Sequence, residues 1–225
     1  MQVQYSIDVK YESTNDPVQA KKWIDSLPDL FAADFECAVR YSEDTIKQAK
    51  DDVKNLELPK KQRVLQQSIA KATALGHPSH CTITHCSIAI SDREAYVFII
   101  DSQEIADVVL DFLVETEKVQ VWHNYCYDGR FIRYYGGGDA KNVEDTQVFA
   151  KTLVNHVEIV KAGVGLKQLA GHWYGDWGIS ADHFTIEQQY EEKVIKYAAI
   201  DACATFKLFD YLKDWCDNVN RSTDE

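Results

Sequence analysis

Residues 30–39 read Leu-Phe-Ala-Ala-Asp-Phe-Glu-Cys-Ala-Val, an apolar run with two acids inside it. The run predicts a buried strand. Because successive side chains of a strand point to opposite faces, Asp34 and Glu36 share one face, while Phe35 and Cys37 lie on the other. A pair of carboxylates inside an apolar strand is costly unless it is neutralised, and bound divalent cations would neutralise it.

The segments that follow predict the rest of a sheet and the helices that cover it. Residues 81–90 and 94–100, rich in β-branched and aromatic side chains, predict a hairpin that turns at Ser91–Arg93. Helical and strand patterns then alternate: a helix at 102–117, a strand at Val119–Trp122, a helix at Tyr125–Tyr135 that stops at Gly136–Gly138, a strand at Asn142–Glu144, a helix capped by Asp145 and running through Leu153, a helix at Leu166–Trp173 and a last helix, with a possible break, at Ile186–Cys216. A hairpin followed by alternating helices and strands predicts an α/β fold with a mixed sheet flanked by helices.

Length and composition place further bounds on the protein. The 225 residues are expected to form one domain, 1–225, because 45% of them are hydrophobic and can build a sizeable core. No run of about 18 apolar residues predicts a membrane span, and Met1–Lys10 has no signal-peptide pattern. The six cysteines are scattered along the chain and are predicted to be reduced core residues. Reduced cysteines favour a cytoplasmic location, in a bacterium or in a phage-infected host cell.

Two further pairs of polar residues have helical spacing. Asn124 and Asp128 follow the strand Val119–Trp122 and are four residues apart, so they can share a helical face at the carboxyl end of a strand. Tyr197 and Asp201 are also four apart, in a helix whose alanines would let it sit close to the sheet. Each pair alone has an ordinary structural explanation as a surface acid or a core aromatic. Their combination with the acidic strand is far more specific.

In this order the motifs resemble those of the DEDDy 3′→5′ exonucleases, which have a ribonuclease-H-like fold. His-Asn-Tyr-Cys-Tyr-Asp-Gly-Arg-Phe-Ile at 123–132 is similar to the second motif of that family, and Tyr-Ala-Ala-Ile-Asp-Ala-Cys-Ala-Thr at 197–205 to the third. Glu-Asp-Thr at 144–146 and Gly-Leu-Lys-Gln-Leu-Ala at 165–170 also match comparable segments. The likeness is greatest to the proofreading domains of family-A, phage-type DNA polymerases.

The resemblance implies a role for each matched residue. It implies two divalent metal ions, Mg²⁺ or Mn²⁺, held by Asp34, Glu36, Asp128 and Asp201. Hard cations take such oxygen ligands, and a pair of them can activate water and stabilise the leaving 3′ oxygen. Tyr197 would help to orient the water, and because Lys196 precedes it, the tyrosine subclass is indicated rather than the histidine one. Asn124 and Tyr127 are expected to contact substrate, although Asn124 could instead cap its own helix.

The resemblance runs from about Leu30 to Leu212 but leaves out residues 41–80, which are longer than the usual connection. This insertion after the first strand is predicted to be helical and carries seven Lys or Arg against five Asp or Glu, a formal charge of +2, which leaves −14 for the rest of the chain. It is either a solvated excursion or a clamp over the nucleic-acid strand entering the site. With a net charge of −12, the protein is expected to bind nucleic acid weakly by itself.

Several weaker signals remain open. His77, His80, Cys81, His85 and Cys86 could suggest zinc, but on a strand Cys81 and His85 would be about 13 Å apart and Cys86 would face the other way. Trp173, Tyr174 and Trp177 either stack on bases or, as is commoner, pack internally. Asp145 either supports the site or is only a helix cap. Lys161 and Lys167 are candidates for phosphate contact, although an isolated lysine is weak evidence for such a contact.

The sequence therefore predicts a metal-dependent 3′→5′ exonuclease that acts on single-stranded or frayed DNA ends, with RNA possible, and releases nucleoside monophosphates. Proofreading beside a DNA polymerase domain or subunit is the favoured role. The main alternative is an exoribonuclease similar to ribonuclease D. A rival from another class is an inactive exonuclease fold that serves as an interaction module, and the presence of all four acids argues against it.

Overall fold

The computed structural model describes residues 7–39, 81–153, 163–175 and 186–222, together with Asp51, Pro59, Gln62, Pro78 and Ser79. The helical insertion predicted for 41–80 otherwise lies outside the described residues. The elements follow one another along the chain as β1 Lys10–Thr14, α1 Pro17–Asp25, β2 Leu30–Val39, β3 Cys81–Ala89, β4 Glu94–Ile99, α2 Gln103–Glu115, β5 Val119–Trp122, α3 Tyr125–Gly136, β6 Val143–Asp145, α4 Thr146–Thr152, α5 Leu166–Tyr174, a 3₁₀ turn Ile186–Gln188 and α6 Glu192–Ser222.

The strands form one mixed sheet in the order β1-β4-β3-β2-β5-β6. Strand β3 pairs antiparallel with both β2 and β4, as predicted, whereas β5 runs parallel to β2, and β6 runs parallel to β5. The acidic strand β2 is therefore central, and its carboxyl end lies at the same edge as that of β5. This edge is where α/β proteins commonly bind their ligands.

The alternation predicted for β2 is confirmed by the two cores that lie on either side of the sheet. Phe31, Ala33 and Phe35 pack into the core under α1, α2 and α3, and Ala32 belongs to the core on the opposite face, under α4, α5 and α6. Asp34 and Glu36 share the face of Ala32. The strand thus aims its carboxylates at the α6 layer.

Helix α6 lies close against the sheet because small side chains line its inner face. Ala198, Ala199, Ala202 and Ala204 have no exposed surface, and the helix packs across β2, β3 and β4. This was predicted from its alanines. The helix begins later than predicted, however, since Ile186–Gln188 forms a separate 3₁₀ turn and the α-helix starts at Glu192 and extends beyond Cys216 to Ser222.

The first two elements, β1 and α1, were not predicted from the sequence. Strand β1 pairs in parallel with β4 at the edge of the sheet, and its mostly exposed, polar side chains gave no clear strand period. Helix α1 did carry a signal, because Asp16 accepts a hydrogen bond from the Val18 backbone N–H and Pro17 occupies the first turn. Both features are typical of a helix start.

Two smaller predictions can be compared with the structure. All six cysteines are free thiols, as predicted, but they are not all core residues, because Cys126 is exposed. In the part of the chain that the structure describes, no helix combines the length and the apolar character that crossing a membrane requires.

Candidate active site

Two elements that are distant in sequence bring three carboxylates together. Strand β2 supplies Asp34 and Glu36, and α6, which crosses the same face of the sheet, supplies Asp201. Their carboxylate oxygens all lie within 4.8 Å of one another. Glu36 and Asp201 are buried, at 8% and 7% exposure, while Asp34 is more open. The two motifs recognised in the sequence thus meet in one cluster.

The fourth acid comes from α3. Strand β5 pairs with β2 only from Leu30 to Ala32, so β2 continues beyond the end of its neighbour. Asp128, on the first turn of α3, is placed beside this unpaired part of β2 and its carboxylate accepts a hydrogen bond from the Phe35 backbone N–H. At 3% exposure it is the most buried of the four acids.

Asp145 fixes the helix that carries Asp128. One of its oxygens, Oδ1, accepts from the backbone N–H of Gln147 at 2.8 Å and so caps α4. The same carboxylate also accepts from the backbone N–H groups of Asn124 and Tyr125, at 3.0 and 2.9 Å. Both roles considered for Asp145 are therefore present, because one side chain caps its own helix and holds the start of α3.

The acids raise one another's pKa. Burial is the largest cause for Asp34 and Glu36, and the charges of the neighbouring acids add to it, so that the pKa of each lies well above its ordinary value. Burial likewise raises the pKa of Asp128 to about 8, although the Phe35 N–H opposes the shift. Without a counter-charge, the cluster resists full ionisation at neutral pH.

Tyr197 and Lys167 complete the cluster. The Tyr197 hydroxyl donates to Asp201, and burial first, then the charge of Asp201, raises the pKa of this phenol. It therefore stays neutral. The Nζ of Lys167 lies 4.4 Å from the centre of the Tyr197 ring, and its charge lowers the pKa of Asp34 and Glu36. From the sequence, Lys167 was only a weak candidate for phosphate contact, together with Lys161.

Two further candidates lie at the start of α3, the helix that carries Asp128. Asn124 occupies the N-cap position of α3 in a left-handed conformation, with φ of 66°, and its side chain makes no capping hydrogen bond. The Tyr127 ring packs on Phe131, with 5.4 Å between ring centres, and lies under the Arg130 guanidinium. The Asn124 side chain therefore does not cap the helix, and Tyr127 is half-buried.

The aromatic and zinc interpretations have structural outcomes as well. Trp173 packs edge-on against Tyr211, and the Tyr174 hydroxyl donates to the backbone oxygens of Asp92 and Cys203, so both rings pack internally. Trp177, Lys161, His77 and His80 lie outside the described residues. His85 is fully buried and its two ring nitrogens are hydrogen-bonded to Thr84 and to the Gln189 backbone, which argues against a zinc ligand.

The donor set fits divalent cations of the hard type. Mg²⁺ and Mn²⁺ prefer carboxylate oxygens, and Asp34, Glu36 and Asp201 converge closely enough to share an ion. Divalent charge would also relieve the mutual repulsion that raises the pKa of these buried acids.

Comparison with known proteins gives a consistent result. A family model described as 3′-5′ exonuclease matches residues 72–216. No curated protein matches the chain significantly. Among solved structures, Brucella melitensis NrnC with bound Mg²⁺ is similar with a TM-score of 0.60 and 15% identity, over 97% of this chain and 86% of that chain. The same protein bound to pGG gives a TM-score of 0.58 at 14% identity, over 98% and 86% of the two chains.

Two longer proteins contain a similar fold. Trypanosoma brucei RNase D in complex with GMP has a TM-score of 0.58 and 13% identity, over 90% of this chain and 56% of that one. Pol1 of M. smegmatis, in complex with a DNA primer-template and dNTP, has a TM-score of 0.52 and 14% identity, over 93% and 28% of the two chains. At these identities the likeness concerns the fold, a ribonuclease-H-like mixed sheet.

Proposed function

Since the matched region spans more than half of the chain, the protein belongs to the 3′-5′ exonuclease family, and we propose that it removes nucleotides from single-stranded or frayed DNA ends. The observation that carries the proposal is the meeting of Asp34, Glu36 and Asp201 within 4.8 Å, because terminal phosphodiester hydrolysis by this family requires such a cluster of oxygen ligands. Asp128, buried beside β2, would be the fourth ligand.

The chain's own residues would divide the work as follows. The four acids would hold two ions of Mg²⁺ or Mn²⁺, which when bound supply an activated water and stabilise the leaving 3′ oxygen. Tyr197 donates its hydrogen to Asp201, so its oxygen can accept a hydrogen bond from the water and orient it. A neutral phenol acts in this way by position rather than as a base.

Lys167 and the residues of α3 would position the substrate. Lys167, on α5, is a positive group whose charge acts on Asp34 and Glu36, and a lysine there can also attract the scissile phosphate. Asn124 and Tyr127 precede Asp128 at the start of α3, and we assign them contact with the terminal nucleotide. The Asn124 side chain makes no helix-capping bond, which leaves its amide available to the nucleotide.

An unpaired 3′ end suits this site better than a paired one. A terminal phosphodiester must reach the buried acids, and unpairing a base costs a few kcal/mol. A mispaired end has already met part of that cost, which is the physical basis for selectivity in proofreading. The likeness to Pol1 supports a proofreading role beside a DNA polymerase.

RNA is the second candidate substrate. Two of the similar structures are those of an RNase D bound to GMP and of NrnC bound to pGG. The four acids could hold metal ions for the hydrolysis of DNA or of RNA, so they do not by themselves select between the two substrates. A free-standing exoribonuclease for short strands is therefore the alternative. The two proposals differ in whether a 2′-hydroxyl is accepted or required at the terminal nucleotide.

The test is digestion of matched, labelled DNA and RNA oligonucleotides with Mg²⁺ or Mn²⁺, using single-stranded, mispaired and paired 3′ ends at two salt concentrations. We expect stepwise shortening from the 3′ end, in the order single-stranded, mispaired, paired. Asp201→Asn should abolish it. Equal rates on all three ends would contradict proofreading, and degradation of RNA alone would select the alternative.

A further inference from the structure

A buried chain of hydrogen bonds joins the strand that carries two of the acids to the segment that leads into the helix carrying the third. It begins where β2 and β3 lose their regular register. Glu36 pairs with His85, but the next residue, Cys37, pairs with Ile83. Thr84 is therefore an extra residue on β3 with no partner on β2, a β-bulge directly opposite Glu36. Bulges of this kind are often found beside active sites, where they re-aim a side chain.

The Thr84 hydroxyl donates to the backbone oxygen of Glu36 at 3.0 Å. Its oxygen also lies 3.1 Å from Nδ1 of His85. The other ring nitrogen, Nε2, is 2.8 Å from the backbone oxygen of Gln189. Since a carbonyl only accepts, Nε2 carries the hydrogen and Nδ1 is the acceptor of a neutral ring. The single Thr84 hydrogen therefore serves two acceptors, Glu36 O and His85 Nδ1.

The chain is enclosed on all sides. Thr84 is 1% exposed, His85 0% and Gln189 8%, so water cannot replace a lost partner at low cost. Gln189 lies in the turn just before α6, the helix that carries Tyr197 and Asp201. The bonds thus span from the ligand strand β2, through the bulge on β3, to the start of α6.

We propose that Thr84 and His85 are positioning residues that set the separation of Glu36 from Asp201, and hence the metal affinity of the site. The inference rests on the proposed metal-dependent function. Neither side chain touches the reacting atoms. Each acts through the backbone, Thr84 by fixing the peptide that follows the Glu36 side chain and His85 by holding the entry to α6 against β3. Outer partners of metal ligands typically change affinity or activity about 10–100-fold when they are removed.

The test uses two matched pairs of variants. Thr84→Val keeps the shape of the side chain and removes the hydroxyl, whereas Thr84→Ser keeps the hydroxyl. His85→Leu removes both ring nitrogens, whereas His85→Gln retains an N–H donor at the place of Nε2. For each protein, Mn²⁺ binding is titrated by calorimetry in the absence of nucleic acid. The rate constant kcat and the KM for a single-stranded oligonucleotide are then measured, and the unfolding temperature is recorded in EDTA.

We expect Thr84→Val and His85→Leu to weaken Mn²⁺ binding about 10–100-fold and to lower kcat with little change in KM. Thr84→Ser should bind within about twofold of wild type, and His85→Gln should recover much of the loss. Lower unfolding temperatures in EDTA with unchanged Mn²⁺ affinity would mean a purely structural role and would overturn the proposal. If His85→Leu fails to fold, the isosteric Thr84→Val carries the decision.

Failure of the proposed function would look different. If the wild-type protein degrades no 3′ end, but the Thr84→Val variant binds Mn²⁺ more weakly than the wild type does, the exonuclease substrate is contradicted and the positioning role is supported. A wild-type protein that binds no Mn²⁺, or whose Asp201→Asn variant binds it equally well, would overturn the positioning role together with the metal site.

Discussion

Lys167 brings a positive charge to the acidic cluster. It lies 4.4 Å from the centre of the Tyr197 ring and lowers the pKa of Asp34 and Glu36. We expect Lys167→Met to reduce kcat/KM about 10–100-fold, as the loss of a hydrogen bond to a charged group would, chiefly through KM. Steady-state kinetics check this. The matched control is Lys21→Met, which removes an exposed lysine paired with Asp25 on α1, and wild-type kinetics in both variants would contradict the role.

A single hydroxyl distinguishes Tyr197 from a core aromatic. The ring is 2% exposed and packs regardless of the hydroxyl, so Tyr197→Phe should fold normally. If the hydroxyl orients water, kcat should fall by about 10²–10⁴-fold while KM changes little. Single-turnover rates on a labelled oligonucleotide give the answer. A rate equal to wild type would make Tyr197 a packing residue only.

At the scale of elements, the starts of α3 and α4 depend on one carboxylate. Asp145 accepts from the backbone N–H groups of Asn124, Tyr125 and Gln147, so Asp145→Ala leaves donors of two helices without a partner. We expect a loss of about 2 kcal/mol or more in the free energy of unfolding, the upper end for a helix cap. Turnover should fall as well, because Asp128 lies in the first turn of α3 and would be displaced with it.

A second helix cap provides the control for this prediction. Asp16 caps α1, where its Oδ1 accepts from the Val18 N–H at 2.9 Å, and α1 packs against α2 and β1 rather than against the acids. Asp16→Ala should cost about 1 kcal/mol and leave kcat unchanged. Urea unfolding and kinetics on both variants separate a general loss of stability from a specific loss at the site. Equal kinetic effects would contradict the special role of Asp145.

Elements with a strong hydrophobic period could be predicted from the sequence, whereas β1, which is held by tertiary pairing, and α1, whose N-cap signal at Asp16 was overlooked, were not predicted. Strand β2 was predicted with its bounds and both faces, because apolar side chains alternate around its two acids. Strand β1 depends on pairing with β4, and its polar, exposed side chains carry no core signal. The same limit applies at the acidic cluster: the motifs predicted that Asp34, Glu36 and Asp201 would come together, whereas Lys167 was only one of two lysines considered for phosphate contact, and its position beside the acids follows from the packing of α5.

For the whole molecule, the acidic cluster predicts how stability depends on pH. The folded-state pKa of Asp128 is raised to about 8, and those of Asp34 and Glu36 are also raised, so between the ordinary carboxyl pKa and these values the folded protein holds protons that the unfolded chain has lost. The free energy of unfolding therefore falls as pH rises. Buried His85 and His123, whose pKa values are lowered, act oppositely, but only below about pH 6.5.

Between pH 7 and 8, therefore, the buried carboxyl groups affect stability without an opposing contribution from the two histidines. In this window the free energy of unfolding of the metal-free protein should fall by about 1.4 kcal/mol per pH unit for each carboxyl group that remains protonated in the folded state. Asp128→Asn should reduce the slope, and Mn²⁺ should raise the unfolding temperature most at the upper end. Thermal denaturation in EDTA and in Mn²⁺ across this window provides the measurement. A metal-free protein that grows more stable from pH 7 to 8 would contradict the burial of these acids.

The spacing of the central strands bears on how fast the site assembles. Strands β3 and β4 are joined by residues 90–93 only, whereas β2 and β3 are separated by residues 40–80. Short loops close at lower entropic cost, so the β3–β4 hairpin should form early, and β2 and α6 should meet only after the folding barrier. Ligands that meet late contribute to the native state but not to the transition state. Mn²⁺ should therefore slow unfolding in stopped-flow experiments and leave the refolding rate unchanged, prolonging the lifetime of the native state without hastening its formation.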